Sequence, residues 1–163
     1  MRETALVRDP EDARHLDLEG VGTVRFTDRL GRQLELSAPG RDPWRIRRPM
    51  FRGKTTITDS SGTTVATMAG DGVEHGGRAV RVATPETEGL FAKSPPFLLV
   101  EGERELARID PRVWDEKPVA VTLLDEAFAA EEPQLLLLGS YCANLIASSR
   151  MARSMASATA QNP

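Results

Sequence analysis

Residues 1–132 alternate short apolar-polar runs with clusters of turn residues. In one run Val80 and Val82 flank Arg81, and this period of two places both valines on one face of a β-strand. The runs recur roughly every 8–12 residues, a spacing typical of an antiparallel sandwich or barrel. The predicted strands cover residues 3–8, 21–28, 33–37, 44–49, 54–59, 63–69, 78–84, 96–101, 104–110 and 118–124.

Two of the predicted turns repeat one residue pattern. The segment Phe26–Gly31 is echoed by Ile57–Gly62, and each contains an Asp followed three positions later by Gly. Such an Asp can accept backbone N–H groups of its own turn, and Gly can adopt the positive φ that ends it. The pattern predicts two β-hairpins and indicates two related halves of a β-meander. Residues 101–103, Glu-Gly-Glu, predict a tighter third hairpin.

The character of the chain changes at residue 125. An acidic, Ala-rich segment leads to Pro133, a residue type favoured at the first position of a helix. Residues 134–149, QLLLLGSYCANLIASS, form the most apolar stretch, with acidic residues before it and arginines after it, as suits a helix dipole. Apolar side chains cover most of this helix, which must therefore be buried on all sides or lie in lipid. It is shorter than the roughly 20 residues that span a bilayer.

A wide barrel would bury such a helix. A barrel of about eight strands is filled by its own side chains, whereas a wider one has room for a helix about 10 Å across. We therefore predict a mainly β fold, an antiparallel barrel closed around one buried apolar C-terminal α-helix. A membrane anchor and a helix packed on an open sheet are the alternatives. The predicted domain covers residues 1–149, with the helix at 134–149, and a disordered polar tail follows at 150–163.

Composition limits the functions that the chain can have. Its 163 residues fit one domain, and the formal net charge of -3 excludes a globally basic protein, so we expect no nucleic-acid partner. The single Cys excludes an internal disulfide, and with only two His it leaves a zinc site short of ligands. The first residues contain no apolar core of signal-peptide length, which predicts a cytoplasmic protein.

The motifs together resemble a known family. The paired hairpins Phe26–Gly31 and Ile57–Gly62, the Arg-rich strand 44–48 and the apolar Gln134–Ala147 are similar to those of the LURP-one-related family. That family belongs to the Tubby C-terminal-like superfamily, with the phospholipid scramblases, and the resemblance covers about residues 20–148. It implies a barrel of roughly 12 strands around a central helix. It also implies phosphoinositide or lipid binding, scrambling or membrane tethering. The chain lacks the Pro-rich and Cys-rich regions of the scramblases, which argues against Ca²⁺-driven scrambling.

One segment, residues 41–54, is strongly basic. If Trp44 and Ile46 face the core, Arg45 and Arg47 project outward together, and neighbouring guanidinium groups can bind phosphate oxygens bidentately. The candidate ligands of an anionic headgroup are Arg41, Arg45, Arg47, Arg48, Arg52 and Lys54.

The basic segment and the resemblance predict a non-enzymatic module that binds an anionic phospholipid or phosphoinositide headgroup, or tethers at the inner membrane face. The alternative is a solvated strand face on a structural or scaffold module, which recruits a protein partner through an exposed strand edge. The salt dependence of binding would distinguish the two.

No motif predicts catalysis. The segment Gly70–Gly77 contains His75-Gly76-Gly77, which resembles an oxyanion-hole turn, but the chain has no Gly-x-Ser-x-Gly nucleophile elbow. Asp71, Glu74 and His75 are a weak metal signal, and we interpret Gly70–Gly77 as a flexible hairpin loop. Cys142 lies in the apolar helix and is predicted to be an inert core thiol. We therefore predict no catalytic residue, no metal and no cofactor.

Overall fold

The computed structural model describes residues 1–30, 32–47, 53–84, 96–111 and 118–160, with the backbone alone at 149–159. The strands in this part of the chain are β1 (Arg2–Arg8), β2 (His15–Leu18), β3 (Gly22–Phe26), β4 (Gln33–Ser37), β5 (Trp44–Arg47), β6 (Lys54–Thr58), β7 (Thr64–Ala69), β8 (Gly72–His75), β9 (Arg78–Ala83), β10 (Phe97–Glu101), β11 (Arg104–Asp110) and β12 (Val119–Leu123). The helices are α1 (Glu126–Glu131) and α2 (Pro133–Ala160).

The twelve strands form one closed antiparallel barrel. Each strand pairs with its neighbours in sequence, and β1 closes the ring with β12, where Thr4 stands opposite Val121. The prediction of a mainly β, antiparallel barrel of roughly 12 strands around a buried C-terminal helix is confirmed. Because the ring is closed, the described strands leave no free edge, so the exposed strand edge expected for the scaffold alternative is not found among them.

The period-two pattern sets which side chains face the interior. In β5, Trp44 and Ile46 are buried while Arg45 and Arg47 are exposed, as the sequence predicts. In β12, Val119 and Val121 are buried in the same way. Alternation of this kind buries one face of every paired strand and leaves the polar face in water.

Helix α2 fills the barrel. It contacts β3 and β9, which stand half-way round the ring from each other, so its first half lies in the interior. Residues 133–143 are all buried, in agreement with the prediction that this mostly apolar helix is buried on all sides. Two glycines permit close approach. A Cβ on Gly139 would stand 2.6 Å from Leu99 Cδ1, and one on Gly22 would stand 3.0 Å from Leu137 Cδ1.

The helix runs along β3 from one end of the barrel to the other. Near its start, Gln134 Nε2 donates to the carbonyl oxygens of Leu36 (3.3 Å) and Asp42 (2.7 Å). Two turns later Tyr141 packs edge-on against Phe26, the last residue of β3, with ring centroids 6.0 Å apart. We call the end that holds α1 and the β4–β5 and β6–β7 turns the entry end, and the end that holds the β3–β4 turn the exit end.

The sequence pattern does not predict two of the strands. The structure contains β2 and β8, and β8 occupies the segment Gly70–Gly77 that we expect to be a flexible loop, so that expectation is wrong. Tight turns with positive φ at Gly70 (58°) and Gly76 (56°) flank β8, which pairs with both β7 and β9. Val73 is its one buried side chain, so backbone pairing places the strand with little help from hydrophobic residues.

Helix α2 is longer than predicted. The sequence places its end near residue 149 and a disordered tail at 150–163, but the helix continues to Ala160. Residues 150–160 are rich in Ala, Met and Arg, which have high helix propensity, and they contain neither Gly nor Pro. Residues 161–163 lie outside the described part of the chain.

Candidate functional site

The six predicted cationic ligands separate into groups. Arg48 and Arg52 lie outside the described residues. Arg41 lies at the entry end, where its Nη2 donates to the carbonyl oxygens of Ala130 (3.3 Å) and Glu131 (3.0 Å). These are carbonyls at the C-terminus of α1, where a cation is favourable. Arg41 therefore fixes α1 to the barrel and does not belong with the outward arginines of β5.

Arg45 and Arg47 project from the same face of β5. The side chain of Arg45 is 56% exposed, and its Nε lies 3.4 Å from Glu35 Oε2 on β4. Arg47 stands opposite Gln33 and has no acidic partner among the residues that the structure describes. The inward neighbours Trp44 and Ile46 are held in the core, so the strand presents both guanidinium groups from a rigid base.

A shallow groove of about 420 Å³ crosses the outer surface of β4, β5 and β6. Besides the two arginines it is lined by hydroxyl and amide donors and one carboxylate, together with Leu34 and Ile46, whose side chains are buried. We call it the β4–β6 groove, and its polar lining consists of Thr27, Gln33, Glu35, Arg45, Arg47, Thr56 and Thr58. Lys54, also predicted as a ligand, lies instead in a second surface groove of about 430 Å³ across β6–β9, with Glu74 and Arg81.

Charge in the β4–β6 groove is positive in excess. Two guanidinium groups face one carboxylate, and Glu35 itself stands between Arg25 on β3 and Arg45 on β5 in the strand register. A bound phosphate group could therefore accept hydrogen bonds from Arg45 alongside Glu35, and from Arg47 without a competing carboxylate among the described residues. Phosphate oxygens accept the parallel N–H bonds of guanidinium, and the threonine hydroxyls can donate to the remaining oxygens.

A second charged cluster, which the sequence analysis missed, lies at the entry end. Arg78 Nε and Nη2 donate to the two carboxylate oxygens of Glu101 at 2.8 and 3.3 Å, and its Cζ lies 5.3 Å from the ring centroid of Phe128. The hydrogen bond to Glu101 raises the pKa of Arg78, and the same bond lowers the pKa of Glu101. Glu131 of α1 lies 3.4 Å from Arg78 Nη1. The bidentate pair joins β9 to β10, and the contact with Glu131 adds α1. We therefore interpret this cluster as structural.

The residues considered for metal binding or catalysis do not converge. His75 Nδ1 lies 2.7 Å from the carbonyl oxygen of Val65, so Nδ1 carries the hydrogen, and the ring packs edge-on against Trp44 at 4.7 Å. Glu74 is exposed on the outer face, and Asp71 lies 3.7 Å from Arg81. Within the described ranges, no group of His, Cys, Asp and Glu could hold a metal ion.

Two residues of the C-terminal part, Cys142 and Asp125, have structural roles. Burial raises the pKa of Cys142 to about 12, which agrees with the prediction of an inert core thiol. Asp125, one of the acidic residues before the helices, is the N-cap of α1 and accepts a hydrogen bond from Phe128 N at 3.0 Å. Among the helices of the described chain, none is both long and apolar enough to cross a membrane.

Comparison with known proteins gives no relative. No family model, no curated protein and no solved structure matches the chain. The resemblance to the LURP-one-related family therefore rests on the sequence motifs and stays a prediction.

Proposed function

We propose that this barrel is a non-enzymatic binding module that holds the phosphate of an anionic lipid headgroup in the β4–β6 groove, at the cytoplasmic surface of a membrane. The observation that carries the proposal is the outward pair Arg45 and Arg47, which line one groove with threonine hydroxyls. The resemblance to lipid-binding families supports the same ligand class.

The groove suits a phosphate, because the several phosphate oxygens can accept hydrogen bonds from both guanidinium groups and from the threonine hydroxyls at once. Two guanidinium groups on one strand can each contribute parallel N–H donors, and Arg47 has no described carboxylate to displace. Arg45 would have to leave Glu35 in part, which lowers the gain from binding. Each basic side chain near an anionic membrane contributes about 1 kcal/mol, so we expect modest affinity that decreases as salt increases.

Vesicle co-sedimentation tests this site. Vesicles of phosphatidylcholine with phosphatidylserine, or with a phosphoinositide, are compared with phosphatidylcholine alone. We expect the wild type to bind the anionic vesicles and the double variant Arg45→Glu/Arg47→Glu to bind more than about tenfold more weakly.

The matched control is Arg81→Glu/Arg108→Glu. These two arginines also project from strands, are 57% and 52% exposed, and each has one acidic neighbour, but neither lines the β4–β6 groove. Equal losses in both double variants would show that only total charge matters. Absence of binding to any anionic vesicle would exclude the lipid ligand, and a protein partner retained at high salt would then favour the scaffold alternative.

A further inference from the structure

The two hairpins that share a sequence pattern lie at opposite ends of the barrel. In the β3–β4 turn, Asp28 Oδ1 accepts the N–H groups of Arg32 (2.8 Å) and Gln33 (3.0 Å). In the β6–β7 turn, Asp59 Oδ1 accepts those of Ser61 and Thr63, each at 2.9 Å. An aspartate carboxylate oxygen thus accepts two backbone N–H groups in each turn, although from different positions, and one turn lies at the exit end and the other at the entry end.

The residues that follow the aspartate differ between the two turns. The β6–β7 turn continues with Ser60-Ser61, whereas the β3–β4 turn continues with Arg29-Leu30. Leu30 is 67% exposed, and Met1 and Val7 are the other exposed large hydrophobic residues in the described ranges. Since a serine occupies the equivalent position of the other hairpin, the turn itself does not explain a leucine in water.

The surroundings of Leu30 are basic. Arg29 and Arg32 flank it and are exposed, and Arg47 stands opposite Gln33, the residue that follows Arg32. The β4–β6 groove begins at Thr27 and Gln33, so it opens toward this same hairpin tip.

The rest of the surface indicates which side of the barrel could meet an anionic partner. At the entry end Glu103, Glu126 and Glu131 are exposed, and the nearby cations are engaged by acids: the N-terminal amine lies 3.3 Å from Glu126 Oε1 and Arg78 Nη1 lies 3.4 Å from Glu131 Oε2. At the exit end the β1–β2 segment pairs its aspartates with its own basic side chains, since Asp12 Oδ1 lies 3.5 Å from Arg14 Nε and Asp9 Oδ2 lies 3.7 Å from His15 Nδ1. The favourable side of the exit end is therefore the one formed by β3, β4 and β5.

We infer that the Arg29–Leu30 tip inserts into an anionic phospholipid bilayer and turns the β3–β5 side of the barrel toward the membrane. This inference rests on the proposed function, because it places the phosphate groove beside the headgroups. Leu30 would enter the boundary between headgroups and acyl chains while Arg29 and Arg32 remain among the phosphates. Burial of one leucine side chain should strengthen vesicle binding roughly tenfold or more.

A fluorescent label at the tip tests the insertion. The variant Leu30→Cys is labelled with an environment-sensitive fluorophore, and the matched control is Ser61→Cys in the other hairpin. Native Cys142 is 2% exposed and does not compete for the label in the folded protein. On vesicles of phosphatidylcholine and phosphatidylserine in equal amounts, we expect a blue shift for the label at position 30 and none at position 61.

A substitution separates insertion from headgroup binding. We expect Leu30→Ser, which copies the other hairpin, to bind these vesicles roughly tenfold more weakly while its affinity for a soluble inositol phosphate is unchanged. Sedimentation of labelled protein without a blue shift at position 30, or an equal shift at position 61, overturns the insertion and leaves the headgroup site standing. Loss of inositol phosphate affinity in Leu30→Ser also overturns it. If no protein sediments, the proposed function fails, and the insertion fails with it.

Discussion

Gly139 of α2 lies against Leu99 of β10 so closely that the space between them would not hold a methyl group. A Cβ built on Gly139 would stand 2.6 Å from Leu99 Cδ1 and 3.3 Å from Cδ2. Leu99 is 1% exposed, so its side chain has little room to move away. The contact brings the helix backbone directly onto the sheet, which is how a barrel of this width is filled without a gap.

We expect Gly139→Ala to lower the free energy of unfolding by about 1 kcal/mol, although alanine favours helices. Overpacking of a tight core costs about 1–3 kcal/mol, and the gain in helix propensity is about 1 kcal/mol. In a Leu99→Ala background the clash disappears, and the same substitution should then stabilise the protein. Urea unfolding of the wild type, the two single variants and the double variant measures both effects. Equal destabilisation by Gly139→Ala in the wild-type and Leu99→Ala backgrounds would contradict this contact.

Gln134 fixes the first turn of α2 to the β4–β5 turn. Its buried Nε2 donates to the carbonyl oxygens of Leu36 and Asp42. Gln134→Glu would replace this donor with a carboxylate facing two carbonyl oxygens, and we expect a loss of about 2–3 kcal/mol at neutral pH.

The loss in Gln134→Glu should depend on pH. Burial against carbonyls raises the pKa of the new carboxyl in the folded state, so its penalty is absent when the group is protonated and grows as pH rises through the unfolded value. Thermal unfolding of both proteins at about pH 4 and about pH 7 measures the change. A stability difference that is the same at both pH values would show that the amide does not face these carbonyls.

Arg78 is expected to matter more than a typical charged residue. Its side chain is 25% exposed and makes a bidentate pair with Glu101, so Arg78→Met leaves that carboxylate without its bidentate partner. We expect a loss of about 2 kcal/mol in the free energy of unfolding. The control Arg81→Met removes an arginine that is 57% exposed and lies 3.7 Å from Asp71, and it should cost less than about 0.5 kcal/mol. Similar losses in both variants would contradict the role given to Arg78.

The aspartates of the two related hairpins should make the fold sensitive to acid. The hydroxyl of Ser61 and the N–H of Thr63 hold the pKa of Asp59 below its ordinary value of 3.8. A pKa that is lower in the folded state contributes stability above the unfolded value, and this stability is lost as pH falls through the folded value. Asp59→Asn should therefore lower the melting temperature at neutral pH and show a shallower decline below about pH 4 than the wild type. A constant difference between the two proteins across this range would exclude the effect.

The sequence predicts those features of the fold that depend on neighbouring residues. The alternation in β5 is enough to place Arg45 and Arg47 outward, and the aspartates and Gly62 are enough to place the hairpin turns, because each depends on neighbouring residues. The apolar surface of α2 likewise predicts its burial. The strand β8 has one buried side chain, Val73, so no periodicity marks it.

The contacts that decide which basic side chains are available to a ligand join residues that are far apart in the sequence. Arg41 meets α1 carbonyls 89 and 90 residues away, and Glu35 reaches Arg45 only through the register of β4 with β5. Arg78 is paired with Glu101, 23 residues further along the chain. Sequence reasoning therefore finds a basic segment but cannot divide it into structural and available side chains, because that division depends on tertiary pairing.

The position of α2 after all twelve strands has a consequence for biosynthesis. A ribosome completes the sheet before it makes Leu135–Leu138, the residues that occupy its interior. Until those residues leave the exit tunnel, the nascent strands have no partner for their inward side chains, and closing the ring would enclose a void. The protein should therefore acquire its native state only after translation of the helix, and during that interval the growing chain is a natural client for chaperones.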